Sequence, residues 1–247
     1  MTHASATHTS STTPTRSNAT MRHLGAQLAL RFVAMTVLIT ALLFLPAGTV
    51  RWWQGWAFLA VFVTPALSAF LYFLKIDPEL VERRLKMKEA VREQSRIMRF
   101  ASLLGVTIFT LPGFDHRLGW SRGWLGAELV GLEVFSLAMV LGGMLAVAWV
   151  LRTNRYAGRT IRVVEGQKVI SSGPYGLVRH PMYAFSLVMW FFVPLALGSY
   201  VALPAFALTL PLYVLRILNE EKVLRAELPG YTEYCERRRW RLVPGVW

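Results

Sequence analysis

Residues 28–49 read LALRFVAMTVLITALLFLPAGT. The only charge is Arg31, near the start, where a long side chain can snorkel to lipid headgroups. A helix of about twenty apolar residues spans the hydrocarbon core of a bilayer, so this stretch predicts a transmembrane helix. Similar blocks follow along the chain. The second runs from the tryptophans at 52, 53 and 56 to about Leu74, and the third from Ile97 to Leu111, closed by Pro112-Gly113. The fourth, about Trp124 to Val150, is rich in glycine (Gly126, Gly131, Gly142, Gly143), which lets helices approach closely. The fifth runs from Met182 to Leu197, breaks at Gly198-Ser199, and gives way to the sixth, Tyr200 to about Leu218. The pattern predicts an all-α, polytopic membrane protein of about six spans, the last two forming a helical hairpin.

Composition agrees. Of 247 residues, 54% are hydrophobic and 17% charged, against about 45–50% and 25% in ordinary globular domains. The mean hydropathy is +0.41. A disordered chain is excluded and a water-soluble enzyme disfavoured. The single cysteine, Cys235, removes any intrachain disulfide framework, and no HExxH or paired Cys/His spacing supports a metal site. Cys235 has no nearby histidine in sequence to activate it and reads as incidental.

The net charge of +13 would suggest nucleic acid in a soluble protein. Here the basic residues lie between the apolar blocks, and no basic face with interleaved aromatics argues for nucleic acid. Residues 75–99 hold eight Lys and Arg, residues 152–180 six, and residues 216–247 seven, whereas the alternate connections hold only Arg51, Arg117 and Arg122. Rich and poor loops alternate strictly. The positive-inside rule then puts both termini in the cytoplasm and the Trp52–Trp56 and Trp120–Trp124 clusters at the outer interface. Three regions follow. Residues 1–24 are a disordered polar tail. Residues 25–150 carry four spans with a charged, surface-helical linker at 75–99. Residues 151–247 carry the fifth and sixth spans, a cytoplasmic helix and a basic tail. A bacterial inner membrane is favoured over the endoplasmic reticulum. The absence of an internal repeat argues against inverted-repeat transporters.

The polar residues with chemical promise fall late in the chain. Gly173-Pro174 makes a turn, and Pro181 suits the first turn of a helix. This sets Arg179, His180 and Tyr183 at a helix N-terminus by the membrane surface, where N–H groups attract anions; interfacial anchoring explains Arg179 and Tyr183 equally well. Arg216 and Glu220, four apart, share one helix face, while Glu221 is turned by about 100°. Only one of the two glutamates can point where Arg216 points. A surface ion pair is the plainer reading of this group. Glu128 and Glu133, within the fourth span, are costly in lipid; Arg51 is a candidate partner and a substrate path a less favoured role.

Three groups of residues together resemble the isoprenylcysteine carboxyl methyltransferase family and the related membrane phospholipid methyltransferases. They are Gly173-Pro174-Tyr175 with Val178-Arg179-His180-Pro181-Met182-Tyr183, then Glu220-Glu221 with Leu224, then Gly230-Tyr231, Tyr234 and Pro244. The likeness covers about residues 150–247; the earlier part matches only as a set of spans. It implies an S-adenosylmethionine (SAM) pocket on the cytoplasmic side. Tyr175, His180, Pro181, Met182 and Tyr183 would contact the cofactor, as would Gln167, Lys168, Val169 and Ile170, with Glu220 completing the pocket. Arg216 matches the family's substrate-carboxylate arginine. Arg216, Glu220 and Glu221 are the catalytic candidates. A carboxylate acceptor needs only orienting, whereas an amine must lose a proton, for which Glu220 or Glu221 is the nearest base.

The expected activity is therefore methyl transfer from SAM to a lipophilic acceptor, a lipid or a prenylated molecule, with a carboxylate favoured because of Arg216. Three alternatives stand beside it: a phospholipid amine N-methyltransferase, an NADPH-dependent sterol-type reductase using the C-terminal arginines for the 2′-phosphate, and a non-enzymatic membrane scaffold. No metal or nucleic-acid partner is expected. The cluster Arg237, Arg238, Arg239 and Arg241 reads as a topology signal in preference to a headgroup site.

Overall fold

The computed structural model describes residues 18–77, 81, 92–125, 129–157, 163 and 166–247. The tail before Asn18, most of the charged linker and Glu128 lie outside the described residues. Among the described residues the secondary structure is entirely helical. The elements are α1 (Asn18–Ala47), α2 (Trp53–Ile76), α3 (Arg92–Leu118), α4 (Trp120–Leu125), α5 (Val130–Thr153), a 3-10 turn (Gly173–Gly176), α6 (Pro181–Ala196), α7 (Leu203–Ala207), α8 (Leu210–Glu227) and α9 (Tyr231–Arg237).

Among the described residues, three helices are long and apolar enough to cross a membrane: residues 25–47, 53–76 and 130–153. Most of their exposed side chains are apolar, with Leu45 77% exposed, as suits a lipid-facing surface. α6 is apolar but has only 16 residues, about 24 Å of helix against a core of about 30 Å.

Several boundaries differ from the sequence expectation. α1 begins at Asn18, inside the expected polar tail. α3 does not stop at Pro112-Gly113 but runs on to Leu118. Proline removes one helical hydrogen bond, but Gly113 lies directly against the Leu43 carbonyl and Pro46 of α1, where a Cβ would collide. That close approach packs the helix on both sides of the proline. The fourth block is divided, with the six-residue α4 standing apart from α5. The sixth is split between α7 and α8, where Thr209 Oγ1 donates to the Phe206 carbonyl at 2.6 Å.

The most extensive helix contact is α5 with α6, followed by α1 with α3 and α2 with α5. Gly143 explains the first. A Cβ there would sit 2.7 Å from Met189 Cβ and 3.3 Å from the Phe185 carbonyl oxygen, so the α5 backbone lies directly on α6. Leu43, Phe58, Val140 and Val193, all fully buried, centre the core between these helices. A second, small cluster of Leu228, Tyr231, Tyr234 and Cys235, with Val169 and Leu224 against it, seats α9 beneath α8.

Candidate active site

At one end of the α5–α6 pair the chain makes a sharp return. Pro174 opens the 3-10 turn, and its carbonyl accepts from Leu177 N at 3.1 Å. Pro181 then begins α6, so its missing N–H leaves no helical bond unmade. His180 holds the N-cap position without a side-chain cap. The backbone N–H groups of Arg179 and His180 donate to the carbonyls of Trp240 and Arg241, each at 2.9 Å. The C-terminal segment is thereby strapped across the helix entry.

Beside this turn lies an open cavity with about 830 Å³ of empty space, part of it open to solvent. Its wall includes Gln167, Val169 and Ile170 from the connector, Tyr175 from the 3-10 turn, His180, Pro181, Met182 and Tyr183 at the start of α6, and Arg216 and Glu220 from α8. Of the sequence candidates, Lys168 and Glu221 are not on the wall; the Lys168 side chain is exposed. Tyr183 joins the two charged groups of α8. Its hydroxyl donates to Glu220 Oε2 at 2.6 Å and accepts from Arg216 Nε at 3.0 Å. A hydroxyl between a cation and an anion fixes both side chains with charge-assisted bonds.

Glu221 faces the other way and is buried. Its Oε1 lies 2.9 Å from Arg179 Nε and 3.2 Å from His180 Nε2, and its Oε2 lies 3.2 Å from Arg241 Nε. Burial alone would raise its pKa. The hydrogen bond and charge of His180, then the charges of Arg179 and Arg241, outweigh that and hold the carboxyl below its ordinary value. Arg179 Nη1 reaches on to the carbonyls of Cys235 and Arg238 at 3.5 and 3.4 Å. Glu221 thus ties α8, the RHP turn and the C-terminal strap together behind the cavity. Burial pushes the Cys235 thiol up, against the pull of Arg179 and Arg225, which disfavours the reactive thiolate.

Some wall residues were not among the site candidates read from the sequence, although Leu224, Tyr231 and Tyr234 were among those carrying the family likeness. Asn154, at the C-cap of α5, donates from Nδ2 to the Tyr175 hydroxyl at 2.9 Å. Tyr234 donates its hydroxyl to the Tyr175 carbonyl at 2.8 Å. Tyr156, Leu224, Leu228 and Tyr231 complete that side. Tyr231 and Tyr234, three apart after Gly230, carried a helical signal. Gly230 adopts φ 82° just before α9, a left-handed turn that suits glycine. The C-terminal arginines invoked for an NADPH phosphate are not on the wall, which carries Arg179 and Arg216 as its arginines.

The far end of α5 and α6 holds a second polar cluster. Glu133, in the first turn of α5, is 2% exposed and accepts from Gln54 Nε2 at 3.2 Å. That amide lies on α2, three positions beyond Arg51. Asp115 accepts from the Ser121 backbone N–H and hydroxyl at 2.8 and 2.5 Å, and Ser121 Oγ in turn accepts from Tyr200 N at 2.8 Å. Gly198, at φ 71°, brings the turn after α6 against Glu133. These residues border a smaller cavity of about 370 Å³ that shares no residue with the first.

The fold and site together define a helical membrane protein with an open, charged pocket beside the N-terminus of α6. Residues 132–228 match the family model of phospholipid methyltransferase, the group named above as related on sequence motifs. The matched stretch runs from the first turn of α5 past the end of α8 and contains Tyr175, His180, Tyr183, Arg216 and both glutamates. The match supports a membrane methyltransferase.

Proposed function

We propose that this protein transfers a methyl group from SAM to a lipophilic acceptor, favouring a carboxylate. The observation that carries this reading is one cavity walled by Tyr175, His180, Met182, Tyr183, Arg216 and Glu220, residues from three separated stretches. When bound, SAM would supply an electrophilic methyl, whose bond to sulfur would break as the acceptor atom bonds to the methyl carbon, with S-adenosylhomocysteine as the leaving group.

The donor set fits such a cofactor. Tyr175 and Tyr183 offer ring faces to a sulfonium, a contact worth about 0.5–2 kcal/mol. Glu220 offers an anion to the cofactor's ammonium, and His180 lies within the same wall. Gln167, Val169 and Ile170 provide a mixed polar and apolar strip for the adenosine. Arg216, held by Tyr183, orients an anionic acceptor, and alignment is most of what methyl transfer asks of a protein. A phospholipid amine is the second reading. The matching family model is that of phospholipid methyltransferase, and in this reading Glu220 on the cavity wall takes the amine's proton. Glu221, engaged with two arginines and a histidine, serves in this account as a brace.

The test is equilibrium binding to the solubilised protein, with S-adenosylhomocysteine and NADPH titrated separately, then repeated with Glu220→Gln and His180→Ala. Saturable S-adenosylhomocysteine binding that weakens in both variants is expected. Binding of NADPH alone points to the reductase, and binding of neither by a folded protein overturns the cofactor site. Radiolabelled methyl transfer to a prenylated carboxylate and to phosphatidylethanolamine then separates the two acceptor classes.

A further inference from the structure

Residues 237–247 contain four arginines and no acid. They begin at the last residue of α9, whose own acids, Glu233 and Glu236, come earlier. The segment has two faces. Its inner face is fastened at every step. The Arg238, Trp240 and Arg241 carbonyls accept from Arg179 Nη1, Arg179 N and His180 N. Arg241 Nε reaches Glu221, and its guanidinium lies 5.1 Å over the Trp247 ring. The N–H groups of Arg241, Leu242 and Val243 converge on the Trp247 main-chain oxygen at 2.9, 2.9 and 3.1 Å. The outer face carries Arg237, Arg238 and Arg239, all exposed, with Trp240 39%, Val243 50% and Val246 77% exposed.

Position gives this outer face its meaning. The residues that hold the strap, Arg179 and His180, immediately precede Pro181, where apolar α6 begins. The strap therefore sits at the level where the chain enters the apolar layer. Three consecutive exposed arginines carry charge that complements phosphate, an exposed indole suits the headgroup zone, and exposed valines can enter the acyl boundary. We propose that Arg237, Arg238, Arg239 and Trp240, with Val243 and Val246, form a docking surface for anionic phospholipid headgroups. Juxtamembrane basic clusters bind anionic leaflets through screened attraction. This one is additionally rigid, because its inner face is bonded to the helix entry. The inference does not depend on the methyltransferase reading.

The experiment places an environment-sensitive fluorophore on Val246→Cys in a Cys235→Ser background, with the full chain in nanodiscs. Phosphatidylcholine alone is compared with a mixture containing phosphatidylglycerol. The expected result is blue-shifted emission, with quenching by headgroup-region spin-labelled lipid, at least threefold greater in the anionic discs and reduced by high salt. The combined Arg237→Gln, Arg238→Gln and Arg239→Gln variant loses that difference. Its melting temperature in neutral detergent, compared with the parent, verifies folding; should the triple variant unfold, Arg239→Gln alone reduces the difference instead. Water-like emission in both lipids overturns the proposal, as does burial indifferent to lipid charge. A response to an acidic polypeptide but not to anionic discs overturns it in favour of a protein partner.

Discussion

At the cavity end of the bundle Glu221 meets two arginines and a histidine, whereas at the opposite end Glu133 meets an amide and Asp115 meets a serine. Both ends bury carboxylates, and both use partners distant in sequence. The difference lies in what each cluster joins. Around Glu221 two guanidinium groups and a histidine meet the carboxylate, and the cluster braces a wall of the larger cavity. At the other end the Gln54 amide ties α2 to α5 through Glu133, and Asp115, Ser121 and Tyr200 join α3, α4 and the turn after α6, with His116 and Arg122 lining the same cavity. A buried ion pair is costly to break from one side, because the remaining charge keeps its desolvation cost. A hydrogen bond to a neutral donor is less so. The comparison teaches that similar burial of a carboxylate can serve a brace at one end and a seam at the other.

The largest effect expected is at Glu221. Replacing it with alanine strands Arg179 and Arg241 and should lower stability by about 3–5 kcal/mol, read from chemical unfolding in mixed micelles. A loss below 1 kcal/mol would show that solvent already screens the cluster. The same carboxylate sets an acid limb. Its pKa in the fold lies below the ordinary value of 4.5, so its contribution is complete above about 4.5 and lost as pH falls toward the folded value. Melting temperatures should therefore decline below pH 4.5 in the parent and more gently in Glu221→Gln. An unchanged slope in that variant would place the acid sensitivity elsewhere.

Next in size is Tyr183→Phe, which removes the hydroxyl between Arg216 and Glu220. Hydrogen bonds to charged groups are worth about 1.5–3 kcal/mol, so methyl transfer should fall by roughly tenfold or more while melting changes little. Full activity would mean that the two charged groups hold their places unaided. Smallest is Glu133→Gln, which retains an oxygen to accept from Gln54 and should cost about 0.5–1.5 kcal/mol. A loss as large as that of Glu221→Ala would erase the distinction between the two ends.

Much of the helical architecture was legible in the sequence, because lipid demands long apolar runs whatever their period. What failed were the punctuation marks. Pro112-Gly113 looks like a terminator, yet Gly113 is small because α1 lies on it. Leu208-Thr209 carries no glycine and nevertheless divides α7 from α8. At the candidate site, helical geometry separated Arg216 and Glu220 from Glu221, and the family likeness indicated most of the cavity wall. It did not reveal that Arg241, 20 residues beyond Glu221, returns to it. That pairing depends on a turn after α9 and on backbone bonds to Arg179 and His180, which no side-chain pattern announces. Gln54 opposite Glu133 was hidden for the same reason, being 79 positions away.

Gly143 lies ten residues after Glu133 and eleven before Asn154, so about 15 Å of helix extends from it in each direction. Met189, its contact on α6, is likewise near the middle of its helix. The crossing is a fulcrum with two nearly equal arms, one reaching the braced cavity and the other the seam of Glu133. Gly143→Ala, which forces Met189 to move, should therefore loosen both arms at once. Amide exchange at the Gln54–Glu133 end and S-adenosylhomocysteine affinity at the other should change in the same variant, whereas Tyr183→Phe should alter only the near arm.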